Sequence, residues 1–167
     1  MKKKIIQLTV VLVASLFIGL LLNGLNGKAT NAEIGDKAPN FTLKDTSGKK
    51  VKLSDFKGEM VVLNYFTTWC APCLEEAPEL EAFGNEYQDA KLLILAKGET
   101  SNRVNKYIDG NGSKLTYLLD TKEEAAKSYN VVGQPETIII DEKGIIVERF
   151  SGPTTKKKLI ELIKKLQ

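Results

Sequence analysis

The chain reads as a single α/β domain with a mixed, mostly parallel sheet and helices on both faces, and three observations carry that reading. Apolar, branched and aromatic runs of strand length alternate with helical patterns from residue 60 onward. The last two strand patterns close as a hairpin about residues 141–144. A chain of 167 residues, 43% of them hydrophobic, has room for one core once a targeting segment is set aside.

Residues 1–30 form that targeting segment, and residues 31–167 the folded domain. Lys2-Lys3-Lys4 precedes an apolar run over residues 5–22, broken only by Gln7, Thr9, Ser15 and Gly19. This is the pattern of a signal anchor or a signal peptide. Eighteen residues at about 1.5 Å each nearly cross a hydrocarbon layer of about 30 Å, which favours an uncleaved anchor. The nearest small-residue cleavage pattern, Thr30-Asn31-Ala32, is a weak match, and no cysteine near residue 25 could take a lipid. The three lysines stay on the cytoplasmic side by the positive-inside tendency. The domain is therefore expected on the outer face of the bacterial cytoplasmic membrane, or secreted if the leader is cleaved.

Residues 23–40, rich in Asn, Gly, Ala and Lys, read as a tether. Phe41-Thr42-Leu43 and Val51-Lys52-Leu53 alternate about a turn at residues 45–48 and predict a short amino-terminal hairpin. Residues 53–58 read as a helical turn, and 60–66 as a strand buried on both faces. A helix over 70–87, a strand over 91–96, a helix around 103–108 and a strand near 116–119 follow. A helix over 122–129, strands over 136–140 and 145–150, and a helix over 154–166 complete the order. The sequence has no internal repeat at periods of about 20 to 50 residues.

Charge and cysteine use narrow the function. The leader holds Lys2, Lys3, Lys4 and Lys28 and no acid, which leaves 20 Lys and Arg against 21 Asp and Glu from residue 31 on. A near-neutral domain has no basic field for nucleic acid. The two cysteines, Cys70 and Cys73, are two residues apart, so they cannot form a framework of structural disulfides. Histidine is absent, which removes Ser-His-Asp and Cys-His nucleophile pairs and the commonest metal ligand.

Trp69-Cys70-Ala71-Pro72-Cys73 stands where a buried strand gives way to a helix, and there N–H groups and the helix dipole stabilise a thiolate at Cys70. Cys73 then lies one turn deeper, placed to resolve the mixed disulfide that Cys70 forms. A zinc or copper site would need further ligands, so no metal and no cofactor is expected. Gly133-Gln134-Pro135-Glu136-Thr137 precedes a strand; alone, such an x-Pro bond is most often trans.

Together these pieces resemble the thioredoxin superfamily over residues 35–167, with its mixed central sheet and here an amino-terminal β-hairpin extension. The leader, the opening at residues 35–43, Glu75-Glu76-Ala77-Pro78 and the segment around Pro135 resemble its extracytoplasmic ResA/TlpA/CcmG (DsbE) branch. The resemblance implies that Pro135 is cis and, with Gln134 and Trp69, forms the groove for a partner's cysteine peptide. Ala71, Pro72 and Pro78 are then structural members of the motif; within a helix, Pro78 removes a hydrogen bond. Cytoplasmic thioredoxins carry a buried Asp where this chain has Asn64. The resemblance assigns proton exchange to Glu76, since burial beside thiols raises a carboxyl pKa. Glu75, Glu76 and Glu79 could alternatively be first-turn acids that favour the helix dipole or solvate a face. Glu99 lies where the branch carries another acid near the site.

The resemblance implies a reductase of disulfides in exported proteins, such as apocytochrome c or an envelope protein of sporulation. A membrane thiol donor of the CcdA type would recharge it. Ala71-Pro72 supplies no charge between the cysteines, which favours a reducing couple over an oxidant. Peroxide reduction is the competing enzymatic reading, because residues 35–43 also resemble peroxiredoxins and Thr67 precedes Cys70 by three; the proline that reading requires is Leu63. A copper chaperone of the Sco kind would need a histidine and a longer cysteine spacing. A non-enzymatic alternative is a chaperone that holds apo-proteins in the groove at Pro135.

Overall fold

Branched and aromatic runs become strands, and in the computed structural model, which describes residues 32–166, they fall in the expected order. The elements are β1 (Thr42–Asp45), β2 (Lys50–Lys52), a 3-10 turn (Leu53–Phe56), β3 (Val61–Phe66), α1 (Ala71–Glu86), β4 (Lys91–Lys97) and α2 (Ser101–Asn111). Then come β5 (Tyr117–Asp120), α3 (Glu124–Ser128), β6 (Glu136–Ile140), β7 (Ile146–Ser151) and α4 (Lys156–Leu166). The expected targeting segment lies outside the described residues. Among the described residues no helix is long and apolar enough to cross a membrane.

The seven strands lie in the order β2-β1-β5-β4-β3-β6-β7. The sheet is mixed, but parallel pairing is confined to β3 with β4 and β4 with β5. The expectation of a mostly parallel sheet is corrected for two reasons. Strand β6 enters beside β3 in the opposite direction, and the β1–β2 hairpin adds antiparallel to β5. Asp45 shapes that hairpin turn, its Oδ1 accepting from Ser47 N–H and Lys49 N–H, both at 2.9 Å.

Alternation along the strands divides the core. Leu63, Tyr65, Leu93, Leu95 and Ile138 face Ala125 and Ala126 of α3 and Tyr129 just beyond it. Val62, Phe66, Ile94 and Ile139 face Leu80 and Phe83 of α1, Val104 of α2 and Leu159 of α4. Strand β3 is buried along its whole length because both of its faces are covered. Helix boundaries depart from the sequence expectation where backbone geometry decides. Helix α2 carries Gly110 and ends only at Gly112, whose φ of 66° is a left-handed cap. Helix α3 starts late because Glu123 is itself left-handed, with φ 57°.

The N-terminus of α3 depends on one buried carboxylate. Asp120, at the end of β5, accepts from Ala125 N–H at 3.2 Å and from Ala126 N–H at 2.8 Å. Asp120→Ala leaves both amides buried without partners and is expected to lower folding stability by about 1–3 kcal/mol, read as a lower urea midpoint.

Candidate active site

Strand β3 delivers the chain into a tight turn, in which Cys70 N–H donates to Thr67 carbonyl at 3.3 Å. Glu99, at the β4–α2 junction, fixes that turn: its Oε1 accepts from Thr68 N–H at 2.9 Å and Thr68 Oγ1 at 2.8 Å. Cys70 is the N-cap of α1, and its Sγ accepts Cys73 N–H at 3.3 Å. Pro72 sits in the first turn, where a missing N–H is tolerated. Cys70 and Cys73 are joined in a disulfide. Cys70 retains 6% exposure and Cys73 none, so Cys70 is the less enclosed of the pair.

The antiparallel pairing of β6 with β3 brings the start of β6 to the end of β3, and so to the cysteines. The Gln134–Pro135 bond is cis, as the resemblance implies. Gln134 carbonyl oxygen lies 3.6 Å from Cys70 Sγ, and Gln134 Nε2 donates to Thr67 Oγ1 at 3.5 Å. Trp69, 68% exposed, and Val132, 92% exposed, stand as uncovered apolar side chains on the two loops. Helix α1 continues through Pro78.

Glu76 is buried, one helical turn beyond Cys73 on the same side of α1. Its Oε1 accepts from Asn64 Nδ2 at 2.8 Å and its Oε2 from Thr154 N–H at 2.9 Å. Burial pushes its carboxyl above the usual carboxylate range, and these two hydrogen bonds offset part of that rise. The first turn of α1 contains no acid and Glu76 is buried, so the dipole reading falls for all three acids and the solvated-face reading fits Glu75 and Glu79 but not Glu76. Glu75 and Glu79 are exposed, and Glu79 Oε2 accepts Lys156 N–H at 2.9 Å, holding the start of α4.

Sequence reasoning noted Asn64 only as the absence of an acid, and it missed Thr154 altogether. A polar residue in an otherwise apolar strand signals Asn64; nothing in the sequence marks a backbone donor 78 residues from Glu76. Leu63, where peroxide chemistry would require proline, is buried in β3 between Leu93 and Ile138. Among the described residues, no group of three or more His, Cys, Asp or Glu side chains could hold a metal ion.

Dithiol exchange is the chemistry this arrangement serves, and it defines the class: a thiol-disulfide oxidoreductase of thioredoxin-like fold. The chain belongs to the AhpC/TSA family, whose sequence model matches residues 34–149. It is similar to the thiol-disulfide oxidoreductase ResA of Bacillus cereus, at 33% identity over 99% of both chains. The thioredoxin-like protein YneN of Bacillus subtilis is 39% identical over 79% of each chain. Among solved structures, StoA of Bacillus subtilis superposes with a TM-score of 0.68 at 27% identity, covering 75% of this chain and 97% of its own. The exposed lipoprotein thioredoxin Etrx1 of Streptococcus pneumoniae gives 0.69 at 28% identity, covering 76% and 99%.

The raised carboxyl of Glu76 has a measurable consequence for stability. In the window between its ordinary unfolded value and its raised folded value the native state binds more proton, so stability falls as pH rises through it. Glu76→Gln removes that slope. The urea midpoint of the variant relative to the parent is therefore expected to climb as pH rises from the ordinary carboxyl range through the raised folded value. A difference independent of pH would show that burial does not shift this group.

Proposed function

We propose that this protein reduces disulfides in exported proteins while residues 5–22 anchor it to the outer face of the bacterial cytoplasmic membrane. The observation that carries the chemistry is the less enclosed Cys70, its Sγ capped by Cys73 N–H and set 3.6 Å from the carbonyl before Pro135. In the reduced protein the same N–H and the α1 dipole favour the Cys70 thiolate without histidine. The anchor rests on the leader pattern, and the outward-facing location is supported by the likeness to an exposed lipoprotein thioredoxin.

The Cys70 thiolate attacks one sulfur of the partner disulfide, whose S–S bond breaks as a mixed disulfide forms; the released partner thiolate takes up a proton. Glu76 draws the proton from Cys73 through the buried site, and the Cys73 thiolate attacks Cys70 Sγ. The mixed disulfide breaks, Cys70 and Cys73 join, and the second partner thiol leaves protonated. Two electrons and two protons pass to the partner. Trp69, Gln134 and Pro135 hold the partner's peptide beside Cys70, while Ala71, Pro72 and Pro78 shape the helix that carries the pair.

The uncharged Ala71-Pro72 spacer supports a reducing couple, which outside the membrane needs a membrane dithiol donor of the CcdA type to restore it. The substrate class is a peptide disulfide such as that of an apocytochrome c Cys-x-x-Cys-His segment, or of an envelope protein in sporulation.

Equilibration of the full chain with dithiothreitol or glutathione, followed by thiol alkylation, is expected to give a potential near or below about −270 mV. A value near about −120 mV would make the protein an oxidant and reverse the direction of transfer. In the same assay the pre-reduced chain is expected to reduce a Cys-x-x-Cys-His peptide disulfide, Cys70→Ser to abolish that reduction, and Cys73→Ser to accumulate the mixed disulfide. Undiminished peptide binding and cellular function in the double serine variant, which cannot reduce a disulfide, would instead support a chaperone.

A further inference from the structure

Arg149 lies on β7, and no chemical reading of the sequence singles it out. Its side chain is only 15% exposed, and Glu136, the residue after Pro135, is more deeply buried beside it. The guanidinium Nε donates to Glu136 Oε1 at 3.0 Å, and Nη2 donates to the same oxygen. Nη2 also donates to Tyr129 carbonyl at 3.1 Å, and Nη1 to Ala32 carbonyl at 2.7 Å, with Glu33 Oε1 3.9 Å away.

Tyr129 and Glu136 are the two ends of one loop. Between them lie Asn130, Val132 and Gly133, all exposed, and then Gln134, whose carbonyl faces Cys70, and Pro135. One planar, permanently charged group thus grips both ends of the segment that the proposed function uses to hold substrate. The same group also grips the Ala32 carbonyl. A lysine could neutralise Glu136 but has no fork with which to reach the Tyr129 and Ala32 carbonyls together.

We propose that Arg149 is a positioning residue that fixes the Tyr129-to-Glu136 loop at the spacing from Cys70 that a peptide disulfide requires. The proposal rests on the reading of that loop as the peptide-binding groove. Arg149 touches no reacting atom. It acts through Glu136 and Tyr129, so it governs how peptides dock and leaves the intrinsic attack of Cys70 alone.

The test uses the full chain and two disulfides: a Cys-x-x-Cys-His peptide and the small aromatic disulfide 5,5′-dithiobis(2-nitrobenzoate), which needs no groove. Arg149→Lys is expected to raise KM for the peptide about tenfold or more, with kcat and the rate with the small disulfide little changed. Arg149→Met alone strands the buried Glu136 carboxylate and is expected to lower the urea midpoint. Glu136→Leu with Arg149→Met removes both charges and is expected to recover that midpoint while leaving KM raised. Amide hydrogen exchange over residues 130–134 is expected to quicken in all three variants beyond any change in global stability.

An unchanged KM in a folded variant, equal losses with both disulfides, or loop exchange that merely tracks global stability would each overturn the proposal. Should the parent chain react with the small disulfide and leave the peptide intact, the reductase function fails. The exchange of amides 130–134 then decides the role of Arg149 by itself.

Discussion

The pairing of β3 with strands of opposite sense on its two sides is the constraint on which the site depends. Parallel β4 lies on one side and antiparallel β6 on the other. Because β6 runs backwards, its beginning meets the end of β3, so Pro135 and Cys70 become neighbours although 64 residues separate Gln134 from Cys70. Every residue of β3 is buried, and the side chains of Val62, Leu63 and Phe66 each contribute about 1.5–3 kcal/mol by leaving water. A one-residue slip would exchange the faces and turn Asn64 away from Glu76.

Asn64 is the polar exception in that strand, and its partner explains it. An acid there would place two carboxyls in one buried site, where like charge and desolvation would hold one of them protonated. The amide donates 2.8 Å to Glu76 instead, and Thr154 N–H occupies the other carboxylate oxygen. The site thus has a single titrating carboxyl beneath Cys73, raised by burial yet kept ionisable by two donors. These donors come from β3 and from the approach to α4, so the packing of α4 on α1 and the proton chemistry are one arrangement.

Local signals made most of the fold legible. The run at residues 61–66 has no reading but a buried strand, and the cysteine motif marks the start of α1 through Pro72 in its first turn. The position of the cysteine pair was likewise readable from its motif, and the cis bond at Pro135 and the burial of Glu76 agree with what the family resemblance implies. What stayed hidden depends on partners distant in sequence. Strand direction at β6 is a tertiary choice, which is why the sheet looked more parallel than it is. Arg149 reads as an ordinary outward residue of an edge strand until Glu136, 13 positions earlier, is seen buried against it.

The absence of histidine makes the backbone responsible for activating the first thiol. A helix N-terminus acts at all pH values at which the fold survives, whereas imidazole would lose its charge near neutrality. In the proposed mechanism only the second step, release by Cys73, then needs a titrating group, and Glu76 is the buried acid one turn away. That mechanism separates attack from resolution: a less enclosed cysteine supported by a fixed dipole, and a fully buried one served by a carboxyl whose ionisation the core controls. A shift in Glu76 would alter how long the mixed disulfide lives more than how fast it forms, so partner selection and partner release can be tuned at different residues of the same small site.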